Sequence, residues 1–92
     1  LNILYRNLKI LNRNKYDFIF YVAGVDIHFE DRLGKLKITD TGVNKRDQIV
    51  IENFNRRNIP LCGVLGGGYN KSFEKLVELH SMLHKNCAEI IR

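Results

Sequence analysis

The segment Pro60 to Asn70 reads PLCGVLGGGYN and holds the pattern that decides the fold. A short apolar run between a proline and three consecutive glycines is typical of a buried strand that leads into a loop. Apolar residues at helical spacing follow from Lys71 to Ile91, so the unit is a strand, a glycine loop and a helix. Glycines at the end of a strand let the backbone approach a ligand closely. Since open α/β sheets bind ligands at the carboxyl ends of their strands, Tyr69 is predicted to stand at the rim of a site.

Two common phosphate-binding motifs fail at this glycine loop. A P-loop needs glycines where this chain has Leu65 and Asn70, although Lys71 and Ser72 suit the end of the motif. The dinucleotide fingerprint fails because Lys71 stands where its third glycine belongs. A generic anion site at the amino end of the last helix stays open as the weakest alternative.

Two further helices and a second strand are predicted upstream. Asp17 to Val22 is a largely apolar run of strand length, typical of a strand buried on both faces of a parallel sheet. The first helix is predicted from the helical spacing of Leu4, Leu8 and Leu11. The second is predicted from the same spacing of Val43, Arg46, Val50 and Phe54. Residues 39–41 can cap this second helix, which extends to about Arg57. The order is helix, strand, helix, strand, helix, an α/β unit whose parallel strands are joined by a right-handed crossover.

If the two strands are neighbours, or one strand apart, this order predicts that the loops after them lie at the same edge of the sheet. The first of these loops, residues 25–37, contains Asp26, and the second contains Tyr69. Neighbouring strands lie about 4.8 Å apart, so two such loops can converge on one ligand. Two strands also leave open sheet edges, which predicts that the chain is a piece of something larger.

Composition and charge exclude several classes of function. The 92 residues are 45% hydrophobic, as in one small globular domain, and none of their apolar runs approaches the roughly 20 residues of a membrane span. The net charge is +5, but the basic residues are scattered among acidic ones, which favours a solvated surface over a nucleic-acid interface. Cys62 and Cys87 are predicted to be reduced core residues, which fits a cytoplasmic protein.

One aspartate and two histidines are candidate metal ligands. Asp26 follows an apolar strand and a glycine, yet an aspartate there is more often a turn or capping residue than a ligand. His80 and His84 have the four-residue spacing that can chelate zinc on a helix. They belong, however, to a predicted inward stripe that is otherwise apolar, made of Phe73, Leu76, Val77, His80, Leu83, His84, Cys87 and Ile91. We therefore predict that these two histidines are packed core or boundary residues.

The segments YVAGVD at residues 21–26, EDRLGKL at 30–36 and LGGGYN at 65–70 strongly resemble the histone deacetylase family, particularly its bacterial, acetoin-utilisation-type and class IV-like members. Residues 39–47 and Ile59-Pro60 continue the match in the same order. The resemblance runs from Asp17 to about His84 and corresponds to the carboxyl-terminal part of that family's domain. It implies a partial three-layer α-β-α parallel sheet of the arginase-deacetylase type, with residues 1–92 as a carboxyl-terminal fragment of the domain.

The resemblance also implies roles for five residues. Asp26 matches the last of three protein ligands of the catalytic zinc, and Tyr69 matches the tyrosine whose hydroxyl hydrogen-bonds the substrate carbonyl oxygen. Leu33 resembles a wall of the acyl-lysine channel, and Gly67 and Gly68 resemble part of its floor. Zinc with an open position polarises an amide carbonyl, and a tyrosine hydroxyl aimed at that oxygen stabilises the charge that develops on it.

The resemblance further implies what the chain lacks. The histidine pair that serves as general base and the Asp-x-His strand that supplies two zinc ligands belong to an upstream part, so the chain alone is expected to be inactive. The expected function is therefore one portion of a zinc-dependent deacetylase that acts on acetyl-lysine or a related N-acetyl amide, with an amino-terminal half of the domain as partner. The alternative is a noncatalytic remnant or interaction module that complements a separate amino-terminal half.

Overall fold

The computed structural model describes residues 2–25, 38–67 and 72–90, which form two strands and three helices. Along the chain these elements are α1 (Asn2–Leu11), β1 (Ile19–Gly24), α2 (Asp40–Arg56), β2 (Leu61–Gly66) and α3 (Phe73–Ile90). The order confirms the predicted α/β sequence of elements. None of the described helices is long and apolar enough to cross a membrane.

The two strands are direct neighbours and run in parallel. Their register pairs Ile19 with Leu61 at one end and Gly24 with Gly66 at the other, so the two strands end level. The ladder begins where the Ile19 amide donates to the Pro60 carbonyl oxygen at 2.9 Å. This contact explains why β1 starts at Ile19, two residues later than the sequence pattern predicts.

Helix α2 begins at a side-chain cap. The Thr39 hydroxyl accepts a hydrogen bond from the Gly42 amide at 3.1 Å, and the Thr39 backbone is extended, with φ −76° and ψ 167°. These are the features of an N-cap, which satisfies an amide that the first helical turn leaves without an intrahelical partner. The capping role predicted for residues 39–41 therefore belongs to Thr39.

Replacing Thr39 by alanine is expected to lower the free energy of unfolding by about 1 kcal/mol, because the Gly42 amide loses its acceptor. Thr39→Ser keeps the hydroxyl and should stay near the wild-type value. Thr41→Ala is the matched control, since Thr41 is exposed in the first turn of the same helix. Urea unfolding followed by circular dichroism measures all three, and equal losses for the two alanine variants would contradict the capping role.

The hydrophobic core lies on one face of the sheet, along the whole length of α2. Near the start of β1, α2 packs on α1 through Phe54, Val50 and Leu8, with Ile19 against this cluster. In the middle, Ile51 meets Ala23 and Leu83, and at the far end Val43 meets Val25 and Leu79. Helix α2 is therefore the element that joins the sheet to both other helices.

The opposite face of the sheet is uncovered in the part of the chain that the structure describes. Phe20 and Val22 are 73% and 67% exposed, and Phe18 and Val64 are also solvent-accessible. The rings of Phe18 and Phe20 meet edge to face with their centroids 5.0 Å apart. The continuous apolar pattern predicts a strand buried on both faces. The difference arises because all the described helices pack on one side.

The buried face of α3 differs from the predicted stripe. Of the predicted stripe, Leu83 is buried, whereas Phe73, Val77 and His84 are exposed and Ile91 lies outside the described residues. Leu79 and Asn86 are buried although the stripe omits them. The Asn86 side-chain amide donates to Asn44 Oδ1 on α2 at 2.8 Å and to the Met82 carbonyl oxygen at 2.9 Å. The predicted stripe contains apolar residues and two histidines, and it omits the hydrogen-bonded asparagine that lies in the helix–helix contact.

Candidate functional site at the carboxyl end of the sheet

The carboxyl ends of β1 and β2 form one continuous edge. Gly24 and Gly66 are opposite each other in the register, and the Val25 amide donates to the Gly66 carbonyl oxygen at 3.2 Å. Val25 is 1% exposed and packs against Val43 and Leu79. The pairing thus extends one residue beyond β1, so the chain segments that follow the two strands start side by side.

The structure describes Gly67 among the five residues to which the resemblance gives a role. Gly67 follows β2 directly and has φ 61°, in the left-handed region where a Cβ atom causes strain. Glycine adopts this conformation readily because it has no Cβ atom. Asp26, Leu33, Gly68 and Tyr69 lie outside the described residues, and their roles stay predictions. The described backbone ends one residue before Asp26 and two residues before Tyr69.

A buried polar network lies beneath this edge. The Tyr21 hydroxyl donates to Asp47 Oδ1 at 2.5 Å, and Arg46 Nε and Nη2 donate to the same oxygen at 3.1 and 3.0 Å. Arg46 Nη1 donates to the Gly24 carbonyl oxygen at 2.5 Å. The Arg46 guanidinium carbon also lies 5.7 Å from the centroid of the Tyr21 ring, within the range of a cation–π contact. One arginine therefore joins helix α2 to the last residue of β1.

The sequence pattern does not predict this network. Helical spacing predicts that Arg46 lies on the inward face of α2, and the scattered charges predict a solvated surface, to which Asp47 would belong. Asp47 is in fact 1% exposed, and the Arg46 side chain is 15% exposed. The available signal was an adjacent Arg-Asp pair in the middle of a helix between apolar positions, because charged residues are seldom buried unless they are paired.

Burial raises the pKa of the Tyr21 phenol above its ordinary value of 10.0, and the hydrogen bond to the Asp47 carboxylate raises it further, while the Arg46 charge opposes the shift. The phenol consequently keeps its proton at neutral pH and acts as a hydrogen-bond donor to Asp47. Burial also raises the pKa of the Cys87 thiol. Cys87 and Cys62 are both free, as predicted, but they are half-buried rather than core residues.

The free energy of unfolding is expected to fall in alkali, above about pH 10 because of Tyr21 and from about pH 9 because of Cys87. The pKa of Tyr21 is higher in the folded than in the unfolded chain, so the unfolded chain loses the phenol proton first and is favoured by alkali. Below about pH 10 the contribution of Tyr21 is fully present. In Tyr21→Phe the free energy of unfolding should decrease less steeply with rising pH. Some decrease should remain, because the raised pKa of Cys87 also makes the folded state less stable in alkali. Urea unfolding at several pH values tests this expectation.

Tyr5→Phe is the control for this titration, because Tyr5 is exposed on α1. It should leave the alkaline slope of the unfolding free energy unchanged. Equal slopes for the wild type and Tyr21→Phe would show that the folded chain does not hold the Tyr21 phenol in its protonated form.

The described residues contain no group of three histidine, cysteine, aspartate or glutamate side chains that could hold a metal ion. His80 and His84 line an apolar groove of about 360 Å³ between α3 and the end of β2, together with Leu65, Phe73, Leu76, Val77 and Ser81. His80 is half-buried and its Nδ1 atom has no hydrogen-bond partner among the described residues, while His84 is exposed. His80 therefore lies at the boundary of the structure, as predicted, whereas the prediction is wrong for His84, which lies at the surface.

Comparison with known proteins gives consistent matches. The chain matches the histone deacetylase domain family over residues 3–83. An uncharacterized protein of Picosynechococcus sp. is 42% identical over 91 residues, which cover 98% of this chain and 30% of that relative. Histone deacetylase 2 of Arabidopsis thaliana is 38% identical over 71 residues, which cover 76% of this chain and 18% of that relative. The chain thus spans less than a third of the length of either relative.

Proposed function

The chain belongs to the histone deacetylase domain family, and we propose that it supplies the carboxyl-terminal part of a zinc-dependent amidohydrolase site. The proposed reaction is hydrolysis of the amide of acetyl-lysine or of a related N-acetyl compound. In this proposal the 92 residues carry one zinc ligand and the hydrogen-bond donor to the substrate carbonyl. The general base and the other two ligands come from the remainder of a deacetylase domain.

The parallel pairing of β1 and β2 with level ends is the observation that carries this proposal. Gly24 and Gly66 face each other, and the Val25 amide reaches the Gly66 carbonyl oxygen. Asp26 follows Val25 directly, and Tyr69 follows Gly67 by two residues. Because strands in such a pair lie about 4.8 Å apart, a carboxylate and a phenol that follow them start close enough to serve one substrate.

The five residues that the family resemblance singles out have the following proposed roles. The Asp26 carboxylate holds zinc, since carboxylate oxygens are common zinc ligands. Zinc, when bound, supplies Lewis-acid polarisation of the scissile carbonyl. The Tyr69 hydroxyl donates a hydrogen bond to the carbonyl oxygen, where negative charge grows during the reaction. Leu33 forms a wall of the channel, and Gly67 and Gly68 leave room at its floor for a long, narrow acyl-lysine side chain.

The proposed partner is the remainder of a deacetylase domain, which would cover the open face of the sheet. Phe18, Phe20, Val22 and Val64 present an apolar surface there, and a contiguous apolar surface of this kind usually marks an interface. In each of the two relatives, the chain outside the matched segment is more than twice as long as the matched segment itself. Helices from that portion are the proposed cover, since a parallel sheet is normally buried on both faces.

Co-expression tests the proposal. This chain would be produced with the portion of the Picosynechococcus relative that lies outside its matched segment, and the resulting complex is called the assembled domain below. With zinc and an acetyl-lysine peptide, the assembled domain is expected to release acetate, whereas neither part alone should do so. Dependence of the rate on zinc, after chelation and readdition, is the second expected result.

A different outcome favours the second candidate function, an interaction module without catalysis. The exposed sheet face is the observation that supports it, because binding through that face needs no catalytic residue. If the two parts form a stable complex that holds no zinc and hydrolyses no N-acetyl amide, the catalytic proposal fails and the interaction module stands. We also infer a cytoplasmic location, which the two free cysteines support.

A further inference from the structure

We propose that Arg46 is a positioning residue that fixes the exit of β1 and thereby the direction in which the chain continues into Asp26. The inference rests on the proposed function, because Asp26 is the zinc ligand in that proposal. It concerns a contact that the family resemblance does not supply, the bond from Arg46 Nη1 to the Gly24 carbonyl oxygen.

The peptide between Gly24 and Val25 is held from both sides. Its carbonyl oxygen accepts from Arg46 at 2.5 Å, and its amide donates to the Gly66 carbonyl oxygen at 3.2 Å. The C=O and N–H of a trans peptide point in opposite directions within one rigid plane. Two bonds at opposite ends therefore restrict rotation of this plane, and the rotation matters here because Gly24 has no side chain to limit it.

Arg46 is itself held in place. Asp47 Oδ1 accepts from Arg46 Nε and Nη2, and the same oxygen accepts from the Tyr21 hydroxyl. The guanidinium is planar and its donors form a fixed fork, so the bonds to Asp47 set the direction of Nη1 towards Gly24. Val25 completes the arrangement by packing its side chain against Val43 and Leu79. The residue before Asp26 is thus fixed through both its backbone and its side chain.

Arg46→Lys tests the positioning role. A lysine keeps a charge for Asp47 but cannot bond both Asp47 and the Gly24 carbonyl in this geometry. In hydrogen exchange of the chain, protection of the Val25 amide relative to the Ile51 amide is expected to fall about 10-fold. Ile51 lies in the middle of α2 and reports global opening. Arg56→Lys is the matched control, since Arg56 is exposed on the same helix, and it should change neither amide.

A second variant removes both charges, so that no buried charge is left unpaired. Arg46→Gln combined with Asp47→Asn should lower the same Val25-to-Ile51 ratio, whatever its effect on global stability. An unchanged Val25-to-Ile51 protection ratio in both variants would refute the positioning role. If protection fell equally at both amides, Arg46 would only stabilise the fold as a whole.

Zinc affinity of the assembled domain provides the readout closest to the site. Arg46→Lys is expected to raise the zinc dissociation constant about 10-fold, the lower end of the range for residues that orient a metal ligand indirectly, and Arg56→Lys should leave it unchanged. If the wild-type assembled domain binds zinc and Arg46→Lys binds it equally tightly, the positioning role alone is wrong. If the wild-type assembled domain binds no zinc, the proposed function fails and this inference fails with it.

Discussion

Tyr69→Phe is expected to lower kcat of the assembled domain by about 100-fold to 1,000-fold, the usual cost of removing one donor to a developing oxyanion. Phenylalanine keeps the ring and removes only the hydroxyl, so the channel retains its shape while the charge on the carbonyl oxygen loses its partner. KM should change little, because the interaction is strongest in the transition state. Steady-state hydrolysis of an acetyl-lysine peptide measures both constants.

Tyr5→Phe makes the same chemical change at an exposed position on α1 and should leave kcat and KM unchanged. Zinc content of the Tyr69→Phe domain should equal that of the wild type, because the phenol is not one of the proposed ligands. If Tyr69→Phe keeps full activity, Tyr69 does not have the proposed catalytic role. If the variant loses both its activity and its zinc, the role of Tyr69 is structural.

Asp47→Asn is expected to destabilise the chain by about 3 kcal/mol, the low end of the cost of breaking a buried ion pair from one side. The carboxylate is 1% exposed and accepts hydrogen bonds from Tyr21 and Arg46. Asparagine has nearly the same shape but no charge, so the Arg46 guanidinium would stay partly buried without its counter-ion. The free energy of unfolding from urea titration at neutral pH measures the effect.

Glu52→Gln is the matched control, since Glu52 is exposed on the same helix and loses its charge in the same way. We expect less than about 0.5 kcal/mol from it. Adding Arg46→Gln to Asp47→Asn should recover part of the lost stability, because it removes the unpaired charge. A loss for Asp47→Asn as small as that of Glu52→Gln would mean that the network contributes little to stability.

Local patterns in the sequence predicted the order of elements. Apolar runs bounded by proline and glycine indicated β1 and β2, and helical spacing indicated the three helices, because these features act over a few residues along the chain. The cap at Thr39 is equally local. The roles proposed for Asp26 and Tyr69 come from the family resemblance, because composition and spacing in these 92 residues do not predict them.

The buried network and the face of α3 were not predictable in this way. Tyr21 and Asp47 are 26 positions apart, and Arg46 meets Gly24 across 22 positions. Asn86 enters the core because it meets Asn44, 42 positions away. Asp47 and Asn86 are buried, and the other side chains half-buried, because distant partners satisfy their hydrogen bonds. The spacing of residues along the chain does not indicate which partner each one meets.

The sequence by itself therefore determined the strand–glycine–helix unit and the family from short motifs, and the parallel arrangement from the order of the elements along the chain. Only the tertiary structure decided that β1 and β2 are neighbours with level ends, that one sheet face is open in the described part, and that Arg46 holds the exit of β1. The physical reason is that hydrogen bonds and burial between distant segments depend on how the helices pack against the sheet, whereas propensity and periodicity act within a single segment.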